Sequence, residues 1–404
     1  MNKYYNNHDE IASDLIKFFD KISLSLSKPQ KKNLAYSIIS MIDSESVVTA
    51  DLAKSIHSFD FSNNTDSIQK RFWRFFNNPL VDIYDTFDSI IENIISNVSN
   101  VRHNELMVTV DHTYIKNNYV VLMFTLKIDT QGIPLKFYLE RTSNNCHSTI
   151  QKNSRKKLFS QDFIIKCFDY IINLLKPFNS KIIFLADRWF FNLSLLKYIE
   201  DNGCYYAVRA KVKSSVKVLA YDKKEGHDIY KHLSDFKPYA SKPSFYKNLV
   251  FGDMKFTANL AIAPYKNNNN DIFDEDNWFI ITNLEPKLAI RKYKKRFGAI
   301  EMFFKSQKTN GFYIESTKTK NLHAMETLYG IACIANLWLF ILGIDYIKNY
   351  NHVKNKINIR FNEKTSTGKP VRLLSTFKIG LTLFKKLVNG FINHKLKTNF
   401  KLYL

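Results

Sequence analysis

Glycine is scarce in this sequence, and its spacing excludes the common phosphate-binding loops. The 404 residues contain 11 glycines, and the two closest together, Gly380 and Gly390, are ten positions apart. The G-x-G-x-x-G and G-x-x-x-x-G-K loops that cradle phosphates need glycines much nearer to each other. A fold that binds a nucleotide through such a loop is therefore not expected.

Cysteine is too sparse for a disulfide framework. The chain contains Cys146, Cys167, Cys204 and Cys333, and no two of them form a C-x-x-C pair. The first residues, 1–7, are polar and lack the apolar stretch of a signal peptide. This usage is typical of a reducing compartment, so we expect a cytoplasmic protein.

One apolar run approaches the length that crosses a membrane. Leu328 to Ile344 comprises 17 residues, just below the spanning length of about 20 residues, and it contains Asn336. We expect this run to form a buried core helix, and a membrane span is the alternative.

Acidic residues are outnumbered, with 37 Asp and Glu against 59 Lys and Arg, which gives a net charge of +22. Residues 1–100 carry 10 basic and 13 acidic residues, whereas residues 346–404 carry 13 basic residues and one acidic residue. So large an excess of positive charge over the whole chain favours a polyanionic partner. Nucleic acid is the first expectation, ahead of an acidic membrane surface.

Apolar spacing predicts an α/β protein with a mixed sheet flanked by helices. Residues 1–100 show the three- and four-residue spacing of helices. From Leu106, three β-branched and aromatic runs predict consecutive antiparallel strands, and later strands alternate with helices.

The same patterns divide the chain into four regions. Residues 1–100 form a helical N-terminal domain, and residues 212–285 form an insertion of short strands. A catalytic core comprises residues 101–211 and 286–345, and residues 346–404 form a basic, partly helical C-terminal region.

A short basic helix is predicted within the N-terminal domain. It carries Lys70, Arg71 and Arg74 and follows a second short helix, as in a helix-turn-helix. DNA binding by these three residues and an ordinary surface helix are the two interpretations.

Two carboxylates end apolar strands, at Asp111 and Asp187. A charge at the end of a buried strand is costly unless it is paired or binds a metal. Taken alone, either residue is better explained as a capping or turn aspartate than as a metal ligand. As a pair on neighbouring strands, they become candidate metal ligands.

A third carboxylate, Glu301, lies in a predicted helix that is rich in lysine. At about 100° per residue, Lys305 and Lys308 fall on the same side of the helix as Glu301. Such a face fits a metal ion beside a phosphate, and a surface salt pair is the alternative. We expect the strand to turn His112 away from Asp111, in a structural role.

Three carboxylates without a histidine or cysteine cluster favour a hard divalent cation. Mg²⁺ or Mn²⁺ bound by Asp111, Asp187 and Glu301 would support an in-line phosphoryl displacement. No general-base histidine is then required.

These residues resemble a known family. VDHT at Asp111, LADRWF at Asp187 and the series Tyr293, Arg296, Glu301, Lys308 resemble the DDE transposases of bacterial insertion sequences, specifically insertion-sequence family four with its Tyr-Arg-Glu-Lys signature. The resemblance covers about residues 35–345, and residues 71–81 are similar to the end of the family's N-terminal DNA-binding domain.

The resemblance implies a ribonuclease H-like core in which Asp111, Asp187 and Glu301 bind two divalent metal ions. It implies cut-and-paste transposition, with cleavage at the transposon ends and strand transfer into target DNA. The implied partners are double-stranded DNA, as terminal inverted repeats and target, and a second copy of the chain in a synaptic dimer. A nucleoid-associated location and the absence of membrane binding follow.

Several DNA contacts are implied by the same resemblance. Tyr293, Arg296 and Lys308 would contact phosphates of the transposon end. Trp278 would stack on a flipped base, or else serve as an ordinary strand aromatic.

Three further cations follow the predicted strands. Arg188 follows Asp187 directly, and Arg209 and Lys211 come at the end of a later strand. Arginine accounts for only 11 of the 59 basic residues, so its position here favours a DNA path.

One departure from the family pattern predicts a deformed helix. The family has three residues between the signature Arg and Glu, whereas four separate Arg296 from Glu301. On a regular helix Arg296 would point about 140° away from Glu301. Either the helix begins or bulges at Gly298, or Arg296 does not have the family role.

Two other functions stay open. A metal-dependent nuclease with the same core would cut DNA without strand transfer. A domesticated DNA-binding protein would not cut, although the presence of all three carboxylates argues against that.

Overall fold

The computed structural model describes most of the chain. The described residues are 6–56, 64–96, 105–116, 118–128, 131–142, 159–212, 216–222, 226–238, 242–252, 255–264, 277–348, 361–362, 371–372 and 374–389. Most of the basic C-terminal region therefore lies outside the described residues.

Five helices precede the first strand: α1 (Asn6–Lys21), α2 (Lys28–Ser44), α3 (Thr49–Ser55), α4 (Thr65–Phe76) and α5 (Ile83–Ser96). Local signals fix their starts. The Ser27 N–H donates to Gln30 Oε1 at 2.8 Å before α2, and Asn64 Oδ1 accepts from the Asp66 N–H before α4. One apolar cluster includes residues of these helices and of the sheet, so the five helices pack onto the rest of the protein.

A single sheet of ten strands forms the centre. The strands are β1 (Glu105–Ile115), β2 (Tyr119–Ile128), β3 (Gln131–Arg141), β4 (Lys181–Ala186), β5 (Tyr205–Arg209), β6 (Lys217–Asp222), β7 (His227–His232), β8 (Ser244–Phe251), β9 (Phe256–Ala263) and β10 (Trp278–Thr282). Their order is β3-β2-β1-β4-β5-β10-β9-β8-β6-β7. The first three are antiparallel, and β4 is parallel to both β1 and β5. The predicted mixed sheet is confirmed.

The predicted insertion is built of strands, as expected, and these strands extend the central sheet. β10 pairs with β5 in antiparallel fashion, and β9, β8, β6 and β7 follow outward. The insertion therefore shares the backbone hydrogen bonds of the core. The four region boundaries stay predictions.

Helices cover both faces of the central strands, and two short later strands form a separate sheet. The remaining elements are α6 (Gln161–Leu175), α7 (Leu193–Asp201), α8 (Pro286–Arg296), α9 (Met302–Lys308), α10 (Leu322–Lys348), β11 (Phe361–Asn362), β12 (Val371–Arg372) and α11 (Thr376–Val388). Alternate residues of β4 face opposite sides: Ile183 packs in the cluster under α8, and Phe184 contacts Phe168 of α6. Because both faces of β2 and β4 are covered, these two strands are nearly continuously apolar.

Helix α10 is the predicted buried helix. Among the described residues it is the one helix long and apolar enough to cross a membrane, and 94% of its most apolar window is buried inside the protein. Its buried Asn336 donates to Ser306 Oγ of α9 at 2.6 Å. A polar contact inside the core therefore fixes α9 against α10.

Helix α11 packs closely along α10. A Cβ atom at Gly380 would collide with the carbonyl oxygen of Leu339, and one at Gly343 would collide with that of Thr376. Two lysines of α11, Lys378 and Lys385, pair with Glu45 of the N-terminal helices. The predicted helical part of the basic region therefore belongs to the core.

Candidate active site

Asp187 follows β4 directly, and Asp111 lies beside it within β1, which continues to Ile115 paired with β2. The prediction that Asp111 ends its strand is therefore wrong, because β1 keeps β2 as a partner after its pairing with β4 stops. β1 pairs in parallel with β4 up to Val110 and Ala186, and the two aspartates are the next residues of each chain segment. Strand alternation places Asp111 on the side of Met107, and Asp187 on the side of Ile183, both of which pack in the cluster under α8. The two carboxylates therefore face the end of α8.

Arg296, the last residue of α8, binds one of these carboxylates. Its Nη2 donates to Asp111 Oδ2 at 2.5 Å, and both side chains are largely buried, with exposed fractions of 5% and 18%. The His112 N–H donates to Asp111 Oδ1 at 2.9 Å. Arg296 Nε is buried without a hydrogen-bond partner. Asp111 is thus held by a buried ion pair.

A π-helical turn, Phe297–Glu301, joins α8 to α9. Its hydrogen bonds run from residue i to i+5, so residues five positions apart come to lie on one side. This geometry lets Arg296 and Glu301 face the same site. The predicted deformation at Gly298 is confirmed as a bulge within a continuous helix, and the alternative that the helix begins there is wrong.

The bulge lies tightly against the sheet. A Cβ atom at Gly132 of β3 would come within 3.2 Å of the Ala299 carbonyl oxygen and would overlap the Thr125 side chain. Glycine is therefore the residue that permits this approach.

The three carboxylates lie close enough for their charges to affect one another. Burial raises the pKa of Asp111, while Arg296 and His112 lower it and Asp187 raises it. Burial also raises the pKa of Glu301, with Arg296 lowering it and both aspartates raising it. Mutual repulsion of this kind occurs between acids that lie close together.

His112 is not turned away from the carboxylates as we expected. Its Nδ1 lies 3.9 Å from Asp111 Oδ1, and its ring packs against Trp189 with 5.0 Å between centroids. Beyond Val110, β1 no longer pairs with β4, so the imidazole reaches the residues that follow Asp187. Burial lowers the pKa of His112, which favours the neutral ring.

The carboxylates are suitable donors for a hard divalent cation, but Arg296 supplies the positive charge beside Asp111. Within the described residues, no group of three His, Cys, Asp or Glu side chains is arranged to hold a metal ion. The chemistry of the donors therefore fits the predicted metal, and Arg296 occupies one of the two oxygens of Asp111.

Tyr293 and Trp278 lie in an aromatic cluster rather than at a DNA-facing surface. Tyr293 is 1% exposed, and its ring contacts Trp278 at 5.5 Å. Trp278 is stacked on Phe297 at 5.3 Å. Tyr293 therefore cannot contact a phosphate in this conformation, because the face of α8 that carries it packs on the sheet. Trp278 occupies the position of an ordinary strand aromatic.

The predicted lysines of α9 lie in different surroundings. Lys308 Nζ donates to the Tyr114 carbonyl oxygen at 2.6 Å, at the end of β1, and pairs with Glu315 at 2.9 Å. Lys305 instead lines a cavity of about 480 Å³ together with Lys378. Lys308 is therefore anchored to the strand that carries Asp111, and Lys305 faces α11.

Arg188, Arg209 and Lys211 come together. They line a cavity of about 440 Å³, and a fourth cation, Lys237, completes it from the strand insertion. Every charged residue in this lining is a cation. Lys237 was not predicted from the sequence, because only the pairing of β10 with β5 brings the insertion next to Arg188.

The three cations of α4 divide between surface and core. Lys70 and Arg74 are exposed, whereas Arg71 is half-buried and its Nε donates to Asn33 Oδ1 at 2.8 Å. Arg71 therefore ties α4 to α2 instead of lying on the predicted DNA-binding face.

The geometry agrees with a comparison against known families. Residues 165–338 match the family model of the transposase DDE domain, a segment that contains Asp187 and Glu301. No curated protein matches the chain. The assignment to insertion-sequence family four stays a prediction. Residues 165–338 of the chain are therefore similar to a transposase DDE domain.

Proposed function

We propose that the chain is a DNA transposase that cleaves DNA at transposon ends and joins the freed 3′-hydroxyl to target DNA. One observation carries the proposal: Asp187 follows the strand beside Asp111, Glu301 ends the π turn that follows Arg296, the partner of Asp111, and Asp187 and Glu301 lie in the segment that matches a transposase DDE domain. The mixed sheet beneath them supports a ribonuclease H-like core.

In this proposal the three carboxylates are the catalytic residues and would hold Mg²⁺ or Mn²⁺, two ions per site. Bound metal would activate the attacking oxygen and stabilise the leaving one. Asp111 and Asp187 come from adjacent strands, which gives rigid support, and Glu301 comes from the π turn. Arg296 would release Asp111, and its guanidinium would then become available to a DNA phosphate.

The substrate in this proposal is double-stranded DNA, as terminal inverted repeats and as target. The cations around the 440 Å³ cavity lie next to Asp187, where they would bind the strand that passes the acidic site. A synaptic homodimer and a cytoplasmic, nucleoid-associated location belong to the same proposal.

The test uses purified protein, a duplex that carries the inverted repeat flanking the gene, nicked at its end, and Mg²⁺. We expect joined products from the native chain and none from Asp187→Asn. The matched control is Asp201→Asn, which removes an equal charge from an exposed position at the end of α7. Cut but unjoined DNA would indicate a nuclease, and a shifted but intact duplex would indicate a non-cleaving DNA-binding protein.

A further inference from the structure

Trp73 is an unusually exposed tryptophan. Its exposed fraction is 60%, whereas Trp338 is 5% exposed and the other two tryptophans are half-buried. Tryptophan is normally well buried, because its large ring gains much from leaving water. An exposed indole therefore needs an explanation from its surroundings.

The surroundings are the outer face of α4. The helix buries Ile68, Phe72, Phe75 and Phe76 against the core. At about 100° per residue, Asp66, Lys70, Trp73, Arg74 and Asn77 fall within an arc of about 100° on the opposite side. The indole lies at one edge of this arc, and the two exposed cations lie toward its other edge.

The charge of this face favours a polyanion. Residues 1–100 have more acidic than basic residues, so two cations beside the indole are a local concentration. Asp66 lies on the same side in the first turn, where it favours the helix dipole, about 10 Å along the axis from Trp73. Lys70 and Arg74 are nearer to the indole and can each bind a phosphate, and the ring beside them can pack against sugars and base edges.

We propose that Trp73 is a DNA-contact residue: its indole packs in a groove of the duplex while Lys70 and Arg74 bind phosphates beside it. This inference rests on the proposed function, since it takes DNA as the substrate. It adds a residue that contributes apolar contact, whereas the cations contribute charge.

The experiment measures the affinity of the full chain for the duplex with the inverted repeat as a function of salt. We expect Trp73→Ala to weaken binding about tenfold with an unchanged salt slope, because an apolar contact in the groove releases no counterions. Lys70→Ala and Arg74→Ala should each lower the slope by about 0.9. The matched control is Tyr230→Ala, an aromatic of 58% exposure on β7, which should leave the affinity unchanged.

A second readout uses tryptophan fluorescence. Acrylamide should quench Trp73 strongly in the free protein, and DNA should protect it. Trp73→Phe should abolish this DNA-dependent protection while leaving the thermal unfolding temperature unchanged, because the side chain is outside the core.

Three outcomes would overturn the inference. One is native affinity in Trp73→Ala together with quenching that DNA does not change. Another is self-association lost in Trp73→Ala without a change in DNA affinity, which would make this face an interface between copies of the chain. If the native chain binds no duplex at all, the proposed function fails as well.

Discussion

Arg296 and Asp111 form a buried ion pair at the centre of the acidic site. A buried pair contributes little net stability, but removal of one partner leaves the other charge unpaired, which typically costs about 3–5 kcal/mol. The positive charge of Arg296 thus offsets part of the repulsion among the three neighbouring carboxylates when no metal ion is bound.

We therefore expect Arg296→Gln to lower the free energy of unfolding by about 3 kcal/mol in EDTA at pH 7. Mn²⁺ should recover part of the loss, because it supplies the missing positive charge. Urea unfolding measures both effects. The double variant Arg296→Gln/Asp111→Asn is the control, and it should regain most of the stability through a favourable coupling term. Additive losses would show that the two side chains do not interact.

Glu301 gives a prediction on pH. Burial and the neighbouring aspartates raise its pKa in the folded protein. The protonated carboxyl costs nothing at low pH, but its ionisation at higher pH costs more free energy in the folded state than in the unfolded state. Its presence therefore lowers the stability above the raised pKa.

Glu301→Gln should accordingly stabilise the metal-free protein more at pH 7.5 than at pH 4.5. Thermal unfolding in EDTA at the two pH values measures the difference. The effect should be modest, because Glu301 is exposed enough for water to screen it. An equal shift at both pH values would mean that the carboxyl does not titrate differently in the folded state.

At the scale of elements, the π turn accommodates the extra residue between Arg296 and Glu301. Both ends of the helix are fixed: α8 by the Arg296 pair, and α9 by the contact of Asn336 with Ser306. A straight α-helix would rotate one end away from its contacts. The widened turn is therefore the conformation that satisfies both ends.

Deletion of Gly298 should convert the π turn into regular α-helix and keep both ends in place. Arg296 and Glu301 would then be four positions apart, about 40° around the helix. Insertion of one alanine after Gly298 should instead misplace one end and destabilise the protein. Thermal unfolding compares the two changes, and equal destabilisation would contradict the interpretation of Gly298 as the extra residue.

At the scale of the whole molecule, the positive charge is divided between the core and the C-terminal segment. α11 packs along α10, and its Lys378 and Lys385 pair with Glu45. Deletion of everything after residue 345 would therefore remove core packing along with charge.

A truncation after Asn389 separates these effects, since it removes Lys395, Lys397 and Lys401 but keeps α11. We expect native thermal stability and a DNA-binding salt slope lowered by about 0.9 for each of these cations that contacts phosphate. The comparison is a truncation that removes residue 376 and all that follow, including α11, and this shorter chain should unfold. An unchanged slope in the shorter truncation would assign the segment to a different partner.

The sequence by itself determined the parts that depend on local pattern. Alternating and continuous apolar runs predicted β1 to β5, and the continuous apolar run at Leu328 predicted α10. The position of Asp187 at the end of a strand also followed from the local pattern, and the deformation before Glu301 followed from the one extra residue relative to the family signature. These features depend on residues near one another in the chain.

Only the tertiary structure decided which side chains meet. Arg296 binds Asp111 across 185 positions, and Lys237 joins Arg188 because β10 pairs with β5. Helix packing likewise buried Tyr293 and left Trp73 exposed. The physical reason is that burial and ion pairing depend on how whole elements pack, which periodicity along the chain does not encode.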